Sequence, residues 1–424
     1  MKKSNALRAF WFIAVNLLRV IGYKISNFVR KNNNLWLFGS AKGSYFFDNS
    51  KYFFFYMNKN QPDIRSVWLT KNKKILYELR KNGYEAYMTN SIKGFLLTLR
   101  AGCVVLSYGT FDVNPYLIGK KTLKIQLFHG TPLKKIGYDD AISYEKDKAY
   151  VKTISGFLKF RNKHFPYLDK FDPILPYLDN YDAVFASSDE VKNKFLTAFN
   201  TDPDKIFVTG FPRTDIFKNE SFDCDCKFLN DLREKISFKY VFSYIPTYRE
   251  DGNIVDIFTN YQFNPKEINA VLEELQAVLI IKLHPRDLSY SVKQFEENSN
   301  RIFIVSNNEI LDVYPLLKNT DVLLTDYSSV YFDFLMLDRP IVFTPFDIDK
   351  YLTRDRELYY EYDSITPGFK AKNWPETFSH IQSLLSNRDN EKQMREKTCK
   401  MFNKFGDGKS SERVYNTICE LLKK

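Results

Sequence analysis

Short apolar runs without polar alternation recur along this chain, and most of them end in a polar turn before a helical pattern begins. Runs rich in Val, Leu, Ile and Phe are typical of strands in a parallel sheet that helices cover on both faces. The pattern therefore predicts an α/β fold made of two doubly wound, Rossmann-like domains. The predicted strands are residues 34–40, 65–70, 103–109, 123–130, 182–188 and 205–210, then 239–247, 277–285, 301–306, 321–329 and 340–346.

A polar, acidic stretch at residues 218–235 separates the last predicted strand of the first half from the first strand of the second half. We predict an interdomain linker there, between an N-terminal domain of residues 32–217 and a C-terminal domain of residues 236–424. Residues 144–181 interrupt the strand pattern of the first domain with interleaved basic and aromatic side chains. Such a surface suits an anionic bilayer or a long anionic chain, while an insertion packed on the domain remains the plainer alternative.

The composition narrows the possible partners. The 424 residues include 44% hydrophobic and 27% charged side chains, which is the composition of a globular protein, and the net charge is +11. That charge indicates an anionic partner, which the charge alone leaves open as nucleic acid, an acidic membrane or a phosphorylated substrate. The five cysteines have no metal-ligand spacing, so neither a disulfide scaffold nor a structural zinc site is predicted.

Residues 1–31 have the pattern of a basic amphipathic helix. Arg8, Arg19 and Lys24 interrupt its apolar residues, so that no run approaches the ~20 apolar residues that a transmembrane helix needs. No small-residue cleavage site follows, as it would in a signal peptide. We expect an interfacial membrane anchor, with a helix packed on the body of the protein as the alternative.

Side chains that suit phosphate follow three predicted strands of the second half. The carboxyl ends of parallel strands meet at one edge of the sheet, where open α/β folds bind ligands. One of these groups also begins an apolar helix, whose N-terminus favours an anion. Helix capping by Asp326 or Ser328 explains that motif alone, but three converging groups predict a phosphate-binding edge. The candidates are Thr247, Arg249, Lys282, His284, Arg286, Thr325, Asp326, Ser328 and Ser329.

Two of the four histidines, His129 and His284, also stand where predicted strands end. Histidine titrates near neutral pH, so it can move a proton there. The other two, His164 and His380, lie in ordinary helical surroundings and are interpreted as structural. At the end of the first half we expect Arg213 and Asp215 at the lip of a hinge or cleft, or in a turn held by a local ion pair.

Seven motifs in a fixed order resemble the CDP-glycerol glycerophosphotransferase family, which builds teichoic acids and related phosphopolymers of bacterial cell walls and capsules. They are FHGTPLKKIG, TGFPRTD, PTYRED, KLHPRD, TDYSSVYFDFLMLDRPIVF, TPGF and DGKSSERV, and they cover about residues 35–422. The resemblance implies two domains facing across a cleft (GT-B type), with a nucleotide-activated donor bound mainly by the C-terminal domain. It also implies a membrane-linked acceptor and a peripheral protein on the cytoplasmic face of the cell membrane.

The resemblance further implies roles for individual residues. His129 corresponds to the general base and His284 to a contact of the donor diphosphate. Phosphate or ribose contacts fall on Arg249, Thr325, Ser328 and Ser329, a further nucleotide contact falls on Lys409 and Ser410, and the acceptor side includes Gly130, Thr131, Lys134 and Lys135. At one place the chain departs from the family, because Phe369 follows Pro-Gly where relatives often carry a proline.

The resulting prediction is an enzyme that transfers glycerol phosphate from CDP-glycerol to a hydroxyl of a polyprenyl-diphosphate-linked or phosphopolymer acceptor, releasing CMP. We expect no metal, no other cofactor and no nucleic-acid partner. CDP-ribitol or a nucleotide sugar as donor, an epimerase of the same fold, and a basic membrane- or nucleic-acid-binding module remain alternatives. The sequence does not distinguish a primase from a polymerase and does not give the oligomeric state.

Overall fold

Two parallel sheets, each flanked by helices, organise the computed structural model of this chain. The structure describes residues 25–140, 181–219, 226–249, 254–283, 294–297, 299–354, 357–386 and 389–423. In chain order the strands and α-helices are β1 (Asn32–Phe38), α1 (Asp48–Asn60), β2 (Arg65–Thr70), α2 (Lys73–Lys81), β3 (Ala86–Met88), α3 (Ile92–Arg100), β4 (Ala101–Leu106), β5 (Leu123–Gln126), β6 (Ala183–Ala186), α4 (Asp189–Ala198), β7 (Ile206–Val208), α5 (Lys227–Arg233), β8 (Tyr240–Tyr244), α6 (Ile254–Thr259), α7 (Pro265–Glu274), β9 (Ala277–Lys282), β10 (Ile302–Val305), α8 (Tyr314–Asn319), β11 (Val322–Thr325), α9 (Val330–Phe334), β12 (Ile341–Phe343), α10 (Ile348–Arg354), α11 (Tyr362–Ile365), β13 (Phe369–Lys370), α12 (Trp374–Leu385), α13 (Lys392–Phe402) and α14 (Ser410–Lys423).

The chain divides into two units, each built on one sheet. The first unit comprises Met1–His129, Ile136–Asp215 and Lys409–Lys424, and the second comprises Gly130–Lys135 and Ile216–Gly408. The predicted α/β class with doubly wound parallel sheets is thereby confirmed.

The first unit contains the sheet β3-β2-β1-β4-β5-β6-β7, in which every neighbouring pair is parallel. Every residue of β4 is buried, which explains why its sequence lacks polar alternation. Large aromatic side chains fill the core on one face of this sheet. They include Trp36, Phe38, Phe53 and Trp68. The strand order reverses between β1 and β4, so the carboxyl ends of these two strands mark the crevice where such folds bind ligands.

The second unit repeats this plan with the parallel sheet β10-β9-β8-β11-β12-β13. All residues of β9 are buried, and Tyr244, Phe258, Phe263 and Trp374 lie in the core beside it. Here the strand order reverses between β8 and β11. The ends of these two strands and the segments that follow them carry the predicted phosphate-binding side chains Thr247, Arg249 and those of residues 325–329.

The C-terminal helix packs differently from the sequence interpretation, which assigned all of residues 236–424 to one domain. Helix α14 belongs to the first unit, where Val414 and Ile418 are fully buried in the core. The ring of Tyr415 lies 5.9 Å from that of Trp36. Val414 and Ile418 are four positions apart, so they lie on one face of the helix, and this face packs on the first sheet. Because the helix follows the second domain in sequence, its position in the chain did not reveal this partner.

The segment Gly130–Lys135 also departs from the predicted boundary, since it belongs to the second unit rather than to residues 32–217. Lys134 forms an isolated antiparallel bridge with Leu358, and the amide of Tyr359 donates to the carbonyl of Leu133 at 2.9 Å. This backbone pairing joins the segment to residues that lie far away in sequence. Such nonlocal pairing leaves no signal in a local pattern.

Three segments predicted from the sequence lie partly or mainly outside the described residues. This applies to residues 1–24 of the N-terminal helix, to nearly all of the insertion at 144–181, and to residues 220–225 of the predicted linker. In the part of the chain that the structure describes, none of the helices has the length and apolar character needed to cross a bilayer.

Candidate active site

His129 lies just beyond the carboxyl end of β5, beside the segment that follows β4. Its Nδ1 atom is 3.2 Å from the carbonyl oxygen of Ser107. Because a carbonyl can only accept, Nδ1 donates this bond, and the lone pair of the neutral ring is on Nε2. The ring of Tyr108 stacks on the imidazole with centroids 4.3 Å apart and an interplanar angle of 6°. Two neighbouring residues therefore fix both the tautomer and the plane of the ring.

The backbone before His129 is held in an unusual conformation. Phe128 has φ 56°, in the left-handed region that a bulky residue rarely adopts. The side-chain amide of Asn49 donates to the carbonyls of Leu127 and Phe128, at 3.2 and 2.9 Å, and Gln126 Oε1 accepts from the Phe128 amide at 3.0 Å. These bonds offset the cost of the strained backbone at Phe128 and orient the side chain of His129.

Asp112, which the sequence interpretation missed, holds the segment that contacts His129. Its carboxylate accepts the backbone amides of Ser107, Tyr108 and Gly109 at 3.0, 2.7 and 3.2 Å, and that of Lys42 at 2.7 Å. The side chain is fully buried. Burial raises the pKa of Asp112 to about 6, and the four amide bonds oppose that rise. Its position just after a predicted strand end is the signal that could have identified it.

Arg213 contributes to the same region of the first unit. Its Nη1 donates to Asp48 Oδ1 at 2.8 Å and to the carbonyl of His129 at 2.6 Å. Both side chains of the Arg213–Asp48 pair are about 5% exposed, so the charges are nearly desolvated. The alternative of a local ion pair between Arg213 and Asp215 is therefore wrong, because Arg213 pairs with a residue 165 positions away.

Asp215 caps helix α14. Its two carboxylate oxygens each accept a backbone amide at 2.8 Å, one from Ser410 and one from Ser411. The carboxylate occupies the positive end of this helix, where an external anion would otherwise bind. The nucleotide contact predicted for Lys409 and Ser410 stays a prediction, but the amides of Ser410 and Ser411 already have an anionic partner.

In the second unit Arg249 forms a buried clamp with two carboxylates. Its Nη2 donates to Asp326 at 2.7 Å, its Nε and Nη2 donate to the two oxygens of Asp347 at 2.9 Å, and Nη1 donates to the Thr247 carbonyl at 2.8 Å. Burial lowers the pKa of Arg249, but the charges of Asp326 and Asp347 outweigh it and raise the pKa above its ordinary value. The guanidinium is thus permanently charged, and the cluster carries one net negative charge.

This clamp changes what can be expected of Arg249 and Asp326. The sequence predicted that Arg249 binds phosphate oxygens, whereas all three nitrogens of its guanidinium donate to protein acceptors. Asp326 also accepts the amides of Thr247 and Tyr327, at 2.8 and 2.6 Å. The pair therefore joins the segments after β8 and β11 and shapes the edge at which the strand order reverses. Asp347 lies 98 positions from Arg249, so no local pattern identified it.

Three hydroxyl groups lie at this edge of the sheet. Thr247 is 8% exposed, and its buried Oγ1 has no hydrogen-bond partner among the described residues. Ser328 and Ser329 are half-buried at the start of α9, and Ser329 makes no side-chain capping bond. Thr325 differs, since its Oγ1 donates to the Ile245 carbonyl at 2.7 Å. The geometry thus favours Thr247, Ser328 and Ser329 over Thr325 as ligand contacts.

Lys282 ends β9 and already has partners. Its Nζ donates to Asn307 Oδ1 at 2.6 Å and to the Leu283 carbonyl at 3.2 Å. Burial lowers the pKa of Lys282 to about 8, with Glu309 opposing the shift. His284 and Arg286 lie outside the described residues, so their predicted contacts with the donor stay predictions.

The residues predicted on the acceptor side lie in the second unit. Gly130 and Thr131 are buried. Lys134 Nζ lies 5.0 Å from the centre of the Tyr351 ring, and Lys135 Nζ forms a 2.5 Å ion pair with Glu357. His380, interpreted as structural, stacks on Phe369 with ring centroids 4.5 Å apart.

Comparison with known proteins identifies the family. The model of the CDP-Glycerol:Poly(glycerophosphate) glycerophosphotransferase family matches residues 21–420. This chain belongs to that family. The resemblance stated from the seven motifs is thereby confirmed, and the chain is a glycerophosphotransferase-family enzyme of teichoic acid biosynthesis.

Individual relatives agree with this assignment. The teichoic acid glycerol-phosphate transferase of Staphylococcus aureus is 29% identical over 393 residues, which are 91% of this chain and 93% of the relative. The teichoic acid poly(ribitol-phosphate) polymerase of Bacillus spizizenii is 30% identical over 247 residues, but these are 55% of this chain and only 37% of the relative. A solved structure of the wall teichoic acid polymerase TagF shares the fold, with TM-score 0.71 and 24% identity over 99% of this chain and 97% of TagF.

We predict that His129→Ala lowers CMP release from CDP-glycerol by about 100-fold or more, since general-base catalysis contributes 10²–10⁴-fold. The measurement is steady-state turnover of the purified full chain, with folding checked by circular dichroism. His380→Ala is the matched control and keeps near-normal turnover. A folded His129→Ala protein with near-normal turnover would remove His129 from the mechanism.

We also predict that Asp112→Asn lowers kcat by about 10–100-fold while KM for the donor changes little, because the amide cannot accept all four backbone N–H groups. The pKa of Asp112 is raised to about 6, so the wild-type carboxylate is lost as pH falls through that value. The variant has no such step. The ratio of wild-type to variant kcat should therefore shrink from pH 8 toward pH 5.

The control for this experiment is Asp202→Asn, whose wild-type side chain is 78% exposed in the same unit. It should leave kcat and its pH profile unchanged. An Asp112→Asn variant with normal kcat, or one whose loss of activity equals its unfolded fraction at every pH, contradicts the positioning role.

Proposed function

We propose that this chain transfers glycerol phosphate from CDP-glycerol to a hydroxyl of a membrane-linked teichoic acid or capsular phosphopolymer acceptor, and releases CMP. The family match over residues 21–420 supports the donor class and the reaction type. The single structural observation that carries the proposal is the imidazole of His129, fixed with its lone pair on Nε2.

The reaction is a phosphoryl transfer. The acceptor oxygen attacks the outer phosphorus of CDP-glycerol, a new P–O bond forms, and the bond to the CMP oxygen breaks. The hydroxyl proton goes to Nε2 of His129, and the negative charge leaves on CMP. Such a reaction asks the protein for positioning, a base and stabilisation of the migrating charge.

The donor groups that we assign are on the second unit. The hydroxyls of Thr247, Ser328 and Ser329 offer donors to the diphosphate. Lys282 at the end of β9, with His284 and Arg286 after it in sequence, would supply positive charge. In this proposal the Arg249–Asp326–Asp347 clamp positions the segments that carry these groups and does not itself bind phosphate.

We propose that cations and hydroxyls stabilise the leaving group without a metal ion, and that the chain works as a peripheral protein at the cytoplasmic face of the membrane. The basic net charge of +11 supports an anionic surface as partner. The acceptor would be a polyprenyl-diphosphate-linked primer or a growing phosphopolymer. A hydroxyl on either one can react in the same way.

CDP-ribitol is the second candidate donor. The observation that favours it is the 30% identity with a ribitol-phosphate polymerase over the shared 247 residues. Glycerol and ribitol differ in chain length, while the diphosphate and nucleotide that the described side chains would bind are the same. Only a direct comparison of donors separates the two proposals.

We predict that the purified chain, given labelled CDP-glycerol and a lipid-linked acceptor, releases CMP in the same molar amount as the glycerol phosphate that it adds. CDP-ribitol and UDP-N-acetylglucosamine tested in parallel should give slower turnover. Analysis of product length distinguishes one addition by a primase from a ladder made by a polymerase.

EDTA is the control for the metal-free proposal and should leave the rate unchanged. Loss of activity that Mg²⁺ restores would overturn that proposal. Interconversion of the sugar donor without an acceptor would indicate an epimerase instead. Salt-sensitive polynucleotide binding without turnover of any donor would contradict the proposed enzyme altogether.

A further inference from the structure

The outer face of helix α3 is apolar, although the helix lies on the surface of the first unit. Ile92 is 80% exposed, Leu96 52% and Phe95 39%, and these are three of the most exposed large apolar side chains among the described residues. A soluble surface normally places polar residues at such positions. A contiguous exposed apolar stripe of this kind marks an interaction site.

Helical geometry places these side chains on one side. Successive side chains advance by about 100°, so Ile92, Phe95 and Leu96 fall within a sector of about 100° on the outer face. The opposite side contacts the protein through Gly94, Leu97 and Thr98, which are all buried. A Cβ atom at Gly94 would lie 2.4 Å from the Met88 carbonyl, so the inner side is seated closely on the backbone after β3. The apolar stripe cannot turn inward.

A second exposed apolar segment lies beside the end of α3. Phe28 is 92% exposed and Ile25 is 48% exposed. Lys31 ties this segment to the helix, because its Nζ donates to the Leu99 carbonyl at 2.7 Å and to Ser26 Oγ at 2.6 Å. The neighbouring turn joins through the Lys120 amide, which donates to Asn27 Oδ1 at 3.1 Å. We call the exposed apolar side chains of α3 and of this segment, with the cations around them, the α3 face.

Positive charges predominate around the α3 face, where Glu85 is the acidic side chain that interacts with one of the cations, Lys93. Residues 25–31, 92–100 and 119–122 contain no Asp or Glu. Their cations are Arg30, Lys31, Lys93, Arg100, Lys120 and Lys121. Residues 1–24 directly precede Ile25 in the sequence. They also lack acidic residues, and they carry five Lys or Arg side chains at positions 2, 3, 8, 19 and 24. Apolar side chains among cations match the interface of an anionic bilayer.

We propose that the α3 face is the surface on which the first unit docks to an anionic lipid bilayer, with Ile92, Phe95, Leu96 and Phe28 entering the acyl boundary. The exposed flanking cations, which exclude the half-buried Lys31, would bind lipid phosphates. A second copy of the chain fits less well, because a symmetric contact would bring the same cations together. The proposal depends on the proposed function in one respect, since a membrane-linked acceptor gives this docking its use. His129 belongs to the same unit as the α3 face.

The test compares full-length variants for binding to phosphatidylcholine vesicles with and without phosphatidylglycerol. The triple change Ile92→Gln, Phe95→Gln and Leu96→Gln keeps good helix formers at exposed positions, so the fold is retained. It should weaken binding to the anionic vesicles by about 1,000-fold, at about tenfold for each of the three large apolar side chains. Lys93→Gln with Arg100→Gln should weaken it by about fivefold per charge, and only when phosphatidylglycerol is present.

The matched control is Tyr77→Ser with Met401→Ser, which removes exposed apolar side chains from other places, 64% and 40% exposed. It should bind vesicles like the wild type. Equal binding by the triple variant and the wild type overturns the proposal. In that case residues 1–24 or another surface bind the vesicles. A wild-type dimer in light scattering that becomes monomeric in the triple variant also overturns it, because the face then joins two copies.

Activity separates this proposal from the proposed function. With a water-soluble acceptor the triple variant should release CMP at the wild-type rate, and with a vesicle-bound acceptor it should be slower in proportion to its lost binding. A wild-type protein that binds no vesicles but turns over CDP-glycerol refutes the α3 face alone. A protein that binds vesicles through the α3 face but never turns over CDP-glycerol refutes the proposed function alone.

Discussion

The buried carboxylate of Asp112 is the constraint on which the first unit's chemistry depends. It gathers four backbone amides, three of them from consecutive residues after β4. This fixes the carbonyl of Ser107 and the ring of Tyr108, which together set the tautomer and plane of His129. Burying a charge is costly unless hydrogen bonds satisfy it, so the four donors and the carboxylate stabilise one another. An imidazole ring with a defined lone pair is the result.

In the second unit, a buried cluster of ion pairs holds the loops at the edge of the sheet. At its strand-order reversal a permanently charged Arg249 is shared by Asp326 and Asp347, and the three groups hold the loop ends after β8 and β11. This clamp joins one guanidinium to two carboxylates, and we propose that other groups bind the anionic donor. The hydroxyls of Thr247 and of residues 328–329 stand at the same edge. In our proposal the first unit supplies the base, and the second unit supplies the hydroxyls that bind the donor.

Much of this architecture could be predicted from the sequence, and the rest depends on contacts between distant residues. Strands buried in a parallel sheet have continuous apolar sequences. The long strands, the fold class and the position of His129 at a strand end could therefore all be predicted. The edge strands β3 and β13 have three and two residues, too few for a pattern. Pairing of Arg249 with Asp347 and of Arg213 with Asp48 spans 98 and 165 positions, beyond any local signal.

The central claim is that His129 enters the reaction as a neutral imidazole with its proton on Nδ1. Nitrogen-15 NMR of histidine-labelled protein, with the His129 signals assigned by comparison with a His129 variant, measures this directly. At a pH where the ring is neutral, we expect a protonated Nδ1 and an unprotonated Nε2. A neutral ring protonated at Nε2 would contradict it, because the lone pair would then be at the Ser107 carbonyl and could not accept a proton from the acceptor hydroxyl.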